Sequence, residues 1–239
     1  MVPVLTVLFA AQAIAPDYVV HLALGTSMAT IIPTSIASMR THHQHGAVLW
    51  PAVRGLAPGI VVGTFGATFL AAWMSPRPLA IIFCLFMLYV AVQMVLNRRP
   101  SPSRQLPGVL PMAGAGGVIG GISALVAIGG GTLTVPFLTW CNVRIQAAIG
   151  TSAAVGLPIA LSGTIGYVLN GWGLAGLPDK AVGFVYWPAM LMMAAASLLT
   201  APLGARLAHR LPVPLLKKLF AALVLLLAAQ MLRTVLTGA

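Results

Sequence analysis

Between Arg104 and Arg144 the chain runs for 39 residues without a Lys, Arg, Asp or Glu. Further runs of this kind include 22 residues (55–76), 20 residues (78–97) and 25 residues (181–205). About 20 mostly apolar residues let a helix cross a bilayer. A water-facing surface, by contrast, needs about a quarter of its residues charged; here only 6% are charged and 59% are hydrophobic. A soluble enzyme, a disordered chain and a disulfide scaffold are excluded. The expectation is an all-α polytopic membrane protein whose partner is the lipid bilayer.

The few charges are lopsided. Thirteen Lys and Arg stand against two acids, Asp17 and Asp179, for a net charge of +11. The basic residues form short clusters between apolar segments, as loop charges that set topology do. No basic run or aromatic-interleaved face suggests nucleic acid, and none is expected as a partner. A chain so poor in acids also offers little competition to an anionic solute. Cys84 and Cys141 lie in separate apolar segments outside any CxxC or Cys/His set, which reads as packing. His42-His43-Gln44-His45 lacks Cys or acidic partners and reads as a solvated loop, so neither metal nor cofactor is expected. The sequence holds no G-x-S-x-G, P-loop or H-E-x-x-H, and the chain is read as no enzyme.

An internal repeat organises the chain. Gly25-Thr26-Ser27-Met28-Ala29 recurs as Gly150-Thr151-Ser152-Ala153-Ala154, an offset of 125 that Pro33 and Pro158 share with Gly46 and Gly171. Val2-Pro3 matches Val135-Pro136, Gly66-Ala67 matches Gly204-Ala205, Pro76-Arg77-Pro78-Leu79 matches Pro212-Val213-Pro214-Leu215, and Gln93-Met94 matches Gln230-Met231. The order is kept, as a duplication requires. The boundaries read as a first transmembrane repeat over 1–97, a linker over 98–107 and a second repeat over 108–239. The second repeat opens with glycine-rich sequence that the first lacks ahead of Met1-Val2-Pro3. By the logic of repeats, about 25 residues of the first copy are expected to be absent.

The layout reads as helices near 1–15, 18–40, 48–73 and 78–97, a broken segment over 108–141, and helices near 145–170, 181–208 and 214–235. The charge-free run over 105–143 exceeds one crossing, and Gly129-Gly130-Gly131 is a poor helix interior, so a break is placed there. If this segment enters and returns, the repeats are inverted. Arg40, Arg54, Arg98, Arg99, Arg104, Arg144, Arg206, Arg210, Lys217 and Lys218 then share one side, and only Arg77, Lys180 and Arg233 face the other. That asymmetry favours inverted repeats with broken helices, the plan of many secondary transporters.

Several groups can carry function. The triplets Gly25-Thr26-Ser27 and Gly150-Thr151-Ser152 either coordinate a substrate oxygen or let two helices pack closely. Pro33 and Pro158 are read as helix breaks beside them. Gly129, Gly130 and Gly131 expose amides, and a helix starting there attracts anions; a flexible turn is the other reading. His21 and Gln146 stand four residues ahead of the triplets, where polar groups are costly. Each either meets substrate or bonds a neighbouring helix.

Gly25-Thr26-Ser27-Met28-Ala29-Thr30-Ile31-Ile32-Pro33-Thr34-Ser35, with Arg40-Thr41-His42-His43 and Gly46-Ala47-Val48, resembles the first-repeat signature of the sulfite exporter TauE/SafE family. Gly129-Gly130-Gly131-Thr132-Leu133-Thr134-Val135-Pro136 and Gly150-Thr151-Ser152 resemble its second. The resemblance implies a bacterial-type inner-membrane, multi-pass permease with a duplicated helical unit. Its substrates would be small sulfur-containing anions, sulfite or sulfonates such as sulfoacetate. On the physics of the residues, alternating access is expected to export them, with Arg40 attracting them at the mouth. Other readings are an uptake permease or channel for another solute, and a non-transporting membrane scaffold. A homo-oligomer is compatible with either class.

Overall fold

A computed structural model describes residues 1–96, 105–210 and 213–237. Most of the linker, with Arg98, Arg99 and Arg104, lies outside the described residues, as does Pro212 of the repeat. The described chain is almost wholly helical: α1 (Val2–Ala11), α2 (Val19–Gln44), α3 (Trp50–Trp73), α4 (Pro76–Leu96), α5 (Val109–Val126), α6 (Gly131–Trp140), α7 (Ile145–Gly171), α8 (Trp187–Arg210) and α9 (Val213–Thr237). Six helical segments among the described residues are long and apolar enough to cross a membrane, and α8 is apolar over Trp187–Thr200.

The helix lengths repeat in order. α1 and α6 each have 10 residues, α2 and α7 have 26 and 27, and α3 and α8 have 24 each. α2 and α7 pack against each other, and the residues that approach are Gly25 with Tyr167, Met28 with Gly163, and Ser35 with Gly156. Position rises on one helix as it falls on the other, so these equivalent helices lie antiparallel.

Two kinds of surface separate the helices. In α2 every residue from Val19 to Thr30 is buried, the mark of a helix enclosed on all sides. α4 and α9 instead expose Leu85, Leu88, Tyr89, Leu223 and Leu226, an apolar face suited to lipid. They pack on each other, and the Cys84 thiol donates to the Ala228 carbonyl at 3.2 Å.

Three expectations change. α2 and α7 continue as helices through Pro33 and Pro158; a proline removes one ladder bond, and the packed neighbours hold the remaining turns. His42, His43 and Gln44 form the last turn of α2 rather than a loop. Ahead of α8, residues 181–186 make an antiparallel hairpin pairing Ala181 with Tyr186. Gly183 turns it at a φ of +56°, with its α-carbon pressed on the α7 backbone at Val168, where a β-carbon would overlap.

Candidate functional site

The triplets are built into reciprocal clasps between the repeats. A methyl group on Gly25 would overlap the carbonyl oxygen of Phe184, and one on Gly150 would overlap that of Ala47. One residue on, the Tyr186 N–H donates to Thr26 Oγ1 at 3.0 Å, and the Leu49 N–H donates to Thr151 Oγ1 at 2.9 Å. Ala47 and Leu49 precede Trp50-Pro51-Ala52, just as Phe184 and Tyr186 precede Trp187-Pro188-Ala189, at a constant offset of 137. Each repeat thus closes on the start of a helix from the other copy, where backbone N–H groups lack intrahelical partners. Thr26 and Thr151 are 0% exposed. Of the two expectations for Gly25, Thr26, Gly150 and Thr151, close packing between the helices is the one these contacts describe.

The third member of each triplet differs. Ser152 donates to the Ile149 carbonyl at 2.8 Å, whereas the Ser27 hydroxyl is buried without a hydrogen-bond partner.

The break lies where the glycines predict it. α5 ends at Val126, Ala127 and Gly130 take left-handed φ values of +47° and +44°, and α6 starts at Gly131. α2 and α7 flank the turn and bury Gly130, while Gly129 and Thr132 are exposed. A β-carbon on Gly129 would stand 3.4 Å from an Ile31 methyl, one on Gly130 would stand 3.1 Å from Ile159, and one on Gly131 would stand 4.0 Å from Ser152 Oγ. Ser27 precedes Ile31 by one helical turn and shares its face. The Thr134 hydroxyl lies 3.6 Å from the β-carbon position of Gly130; it is 0% exposed and has no hydrogen-bond partner. The break therefore sets a partly buried helix start beside the orphan buried hydroxyl of Thr134, and a polar group so placed is costly unless something binds it.

On its other side the break borders a cavity of about 230 Å³. Ala127, Ile128 and Thr132 supply one wall, and Met1, Val2 and Pro3 at the start of α1 supply a second. The rest comes from Phe83, Met87 and Val90 of α4 and Phe220, Val224 and Leu227 of α9. These last six are three pairs at the repeat offset of 137, and they sit midway along their helices. A wider cleft of about 560 Å³ opens between the α1–α2 turn and the ends of α4 and α9, lined by Asp17, Ser75, Arg77 and Thr234 among others.

The remaining candidates scatter. His21 Nε2 donates to the Ala71 carbonyl at 2.9 Å, and its ring stacks on Phe184 at 5.2 Å. It ties α2 to the end of α3, away from the break. Gln146 is exposed at the start of α7, not at depth as expected. Arg40 is exposed near the end of α2, and the His42 to His45 cluster lies beside it. Among the described residues no three His, Cys, Asp or Glu converge as metal ligands.

One seam escaped the sequence reading. Methyl groups on Gly59, Gly63, Gly116 and Gly120 would overlap the carbonyl oxygens of Ala113, Gly117, Leu56 and, less severely, Ile60. α3 and α5 thus touch backbone to backbone, and their contacts advance together, so they run parallel. The stride Gly55-x3-Gly59-x3-Gly63 was the available signal. Thr64 sits where this seam meets α7, its hydroxyl buried without a partner.

The family model described as sulfite exporter TauE/SafE matches residues 1–231. A probable membrane transporter protein of Haemophilus influenzae is 36% identical over 233 residues, covering 97% of this chain and 88% of the relative. A probable membrane transporter protein of Bacillus subtilis, YdhB, is 24% identical over 211 residues, covering 83% of this chain and 79% of the relative. No solved structure matches.

Proposed function

The chain belongs to the sulfite exporter TauE/SafE family, and from that premise we propose that this membrane permease exports small sulfur-containing anions, sulfite or organosulfonates, across the cell's inner membrane. The observation that carries the reading is the break between α5 and α6. There the positive end of a partly buried helix start stands beside the orphan hydroxyl of Thr134 and near Ser152 and the Ser27 face of α2. Such a site offers donors to an oxyanion without a full positive charge that would hold it too tightly. Ser27 and Thr134 supply hydroxyls free to donate, the Gly130 and Gly131 N–H groups bond within the turn and the Ser152 hydroxyl bonds Ile149, and the triplet threonines keep the surrounding helices in register. Exposed Arg40 draws anions toward one mouth.

Energetics favour outward flow. One negative charge gains about 2.3 kcal/mol on leaving against a 100 mV, inside-negative potential. No coupling ion is then needed, and inverted halves exchanging conformations supply alternating access.

Flux of labelled sulfite and sulfoacetate from proteoliposomes with an imposed inside-negative potential tests this reading. Anion release that grows with the potential supports it. Voltage-independent release, or retention of both anions by folded protein, overturns it. A co-purifying protein partner in the second case would point to a scaffold.

A further inference from the structure

We infer that the wide cleft between the α1–α2 turn and the ends of α4 and α9 binds the headgroup of a phospholipid carrying both a phosphate and a protonated primary amine. The inference is independent of the transported anion and rests only on the chain's crossing a bilayer.

Charge placement is the first observation. The whole chain has two acids, and one of them, Asp17, lines this cleft together with Arg77. Asp17 sits in the short helical turn Pro16–Tyr18 ahead of α2, and Arg77 is the second residue of α4. Both are exposed. Neither is neutralised within the protein, for among the described residues they make no ion pair with each other or with any other group. Opposite charges that share a cleft without meeting suit a ligand that carries the complementary pair. Its ammonium donates to the Asp17 carboxylate, and the Arg77 guanidinium donates to its phosphate oxygens. The backbone is poorly placed to take over the second task. α4 opens with Pro76-Arg77-Pro78, so two of the N–H groups that would meet an anion at a helix start are missing. The hydroxyl residues Ser75 and Thr234 line the same space.

Depth is the second observation. α3 ends at Trp73, 88% exposed and two residues ahead of Ser75. All five tryptophans fall at helix ends in this way: Trp50 and Trp187 open α3 and α8, Trp140 closes α6, and Trp172 follows the last residue of α7. Tryptophan in such places marks the level of the lipid headgroups, and the cleft opens at that level. The third observation is continuity. The helices that wall the cleft run on into exposed apolar surface, at Ile81 and Leu85 of α4 and at Leu223 and Leu226 of α9. Acyl chains hanging from a headgroup in the cleft would lie along that surface, which favours a lipid over a free solute of the same chemistry. The volume of about 560 Å³ is the share of about nineteen water-sized groups, room for a phosphoethanolamine headgroup and its glycerol. A lipid so held joins the α1–α2 turn of the first repeat to the last helix of the second.

The test uses the full chain, taken up in mild detergent from nanodiscs holding equal parts of phosphatidylethanolamine, phosphatidylcholine and phosphatidylglycerol with matched acyl chains. Mass spectrometry reads the lipid it retains. Phosphatidylethanolamine is expected at about five times the level of either other lipid, since it alone couples a phosphate to an ammonium that can donate. Asp17→Asn removes that preference and Asp17→Glu restores it. Arg77→Gln lowers retention of phosphatidylethanolamine about fivefold. Lys180→Gln, at an exposed position outside the cleft, changes neither. Monodisperse elution on size-exclusion chromatography qualifies each variant. Equal retention of the three lipids, or retention unchanged in either Asp17→Asn or Arg77→Gln, overturns the inference. Thermal stabilisation by free phosphoethanolamine equal to that by the lipid also overturns it, because the cleft would then hold a solute.

Discussion

The clasps at Gly25-Thr26 and Gly150-Thr151 and the break at Gly129–Gly131 are all small-residue stretches with buried hydroxyls. In the clasps each threonine oxygen accepts an N–H from the other repeat, and each glycine lets a carbonyl settle against the helix. At the break, glycines interrupt the helix, a new one starts at Gly131, and the buried Thr134 hydroxyl has no partner. Buried polarity that is satisfied holds a structure together; the buried Thr134 hydroxyl holds nothing and can bond another group. Sequence alone presents both as polar atoms in an apolar run, and only the bonding distinguishes them.

The largest test of this distinction is Gly150→Val. Its side chain must displace the Ala47 carbonyl, and overpacking of this kind costs about 1–3 kcal/mol or more. Loss of monodisperse protein on size-exclusion chromatography is expected, with the same outcome for Gly25→Val. A folded, fully active variant at either position would dissolve the clasp. Next comes Thr151→Val, which leaves the Leu49 N–H unpaired and should lower stability by about 1–3 kcal/mol. Thr26→Val should match it closely in thermal unfolding, because the two bonds are equivalent. A large difference would show that the copies do not share their fastening.

Thr134→Val should behave oppositely. Removing an orphan hydroxyl leaves thermal stability unchanged or raised, while sulfite release falls about fivefold to tenfold through the loss of one hydrogen bond. Lower stability with unchanged release would move Thr134 to the structural side of the comparison. The smallest effects separate His21 from Gln146. His21→Leu gives up the bond to Ala71 and should cost about 1 kcal/mol, whereas Gln146→Ala, at an exposed position, should stay within about 0.5 kcal/mol. Thermal unfolding of both reads the difference.

Much of this architecture was legible because its signals are covalent and local. Long uncharged runs locate the spans, and the triplet Gly129-Gly130-Gly131 locates the break, since glycine both weakens a helix and accepts the φ of +44° found at Gly130. Pro33 and Pro158 misled for the converse reason. A proline's local penalty is visible in sequence, while the packing of α2 and α7 that overrides it is not. The hairpin over 181–186 was hidden because its pairing is two residues per strand and borrows its stability from α7 through the Phe184 N–H bond to the Tyr167 carbonyl at 3.2 Å. The triplets were visible but their partners were backbone N–H groups, which every residue but proline carries and which no pattern of side chains announces. His21 and Gln146 looked equivalent by spacing. Phe184 stacks on His21, while its counterpart facing the second copy is Ala47, so the two positions answer to different neighbours.

The clasps also impose an order on synthesis. Leu49 and Thr151 are 102 positions apart, and Thr26 and Tyr186 are 160 apart. A ribosome making this chain releases α3 long before the hydroxyl that fastens its start exists, and α2 waits longer still for its fastening. The first half must therefore sit in the bilayer with open joints until the second half threads in. Once both are shut, neither copy can be exchanged or lost without unfastening the other, so the duplicated halves are held together as a single inherited unit.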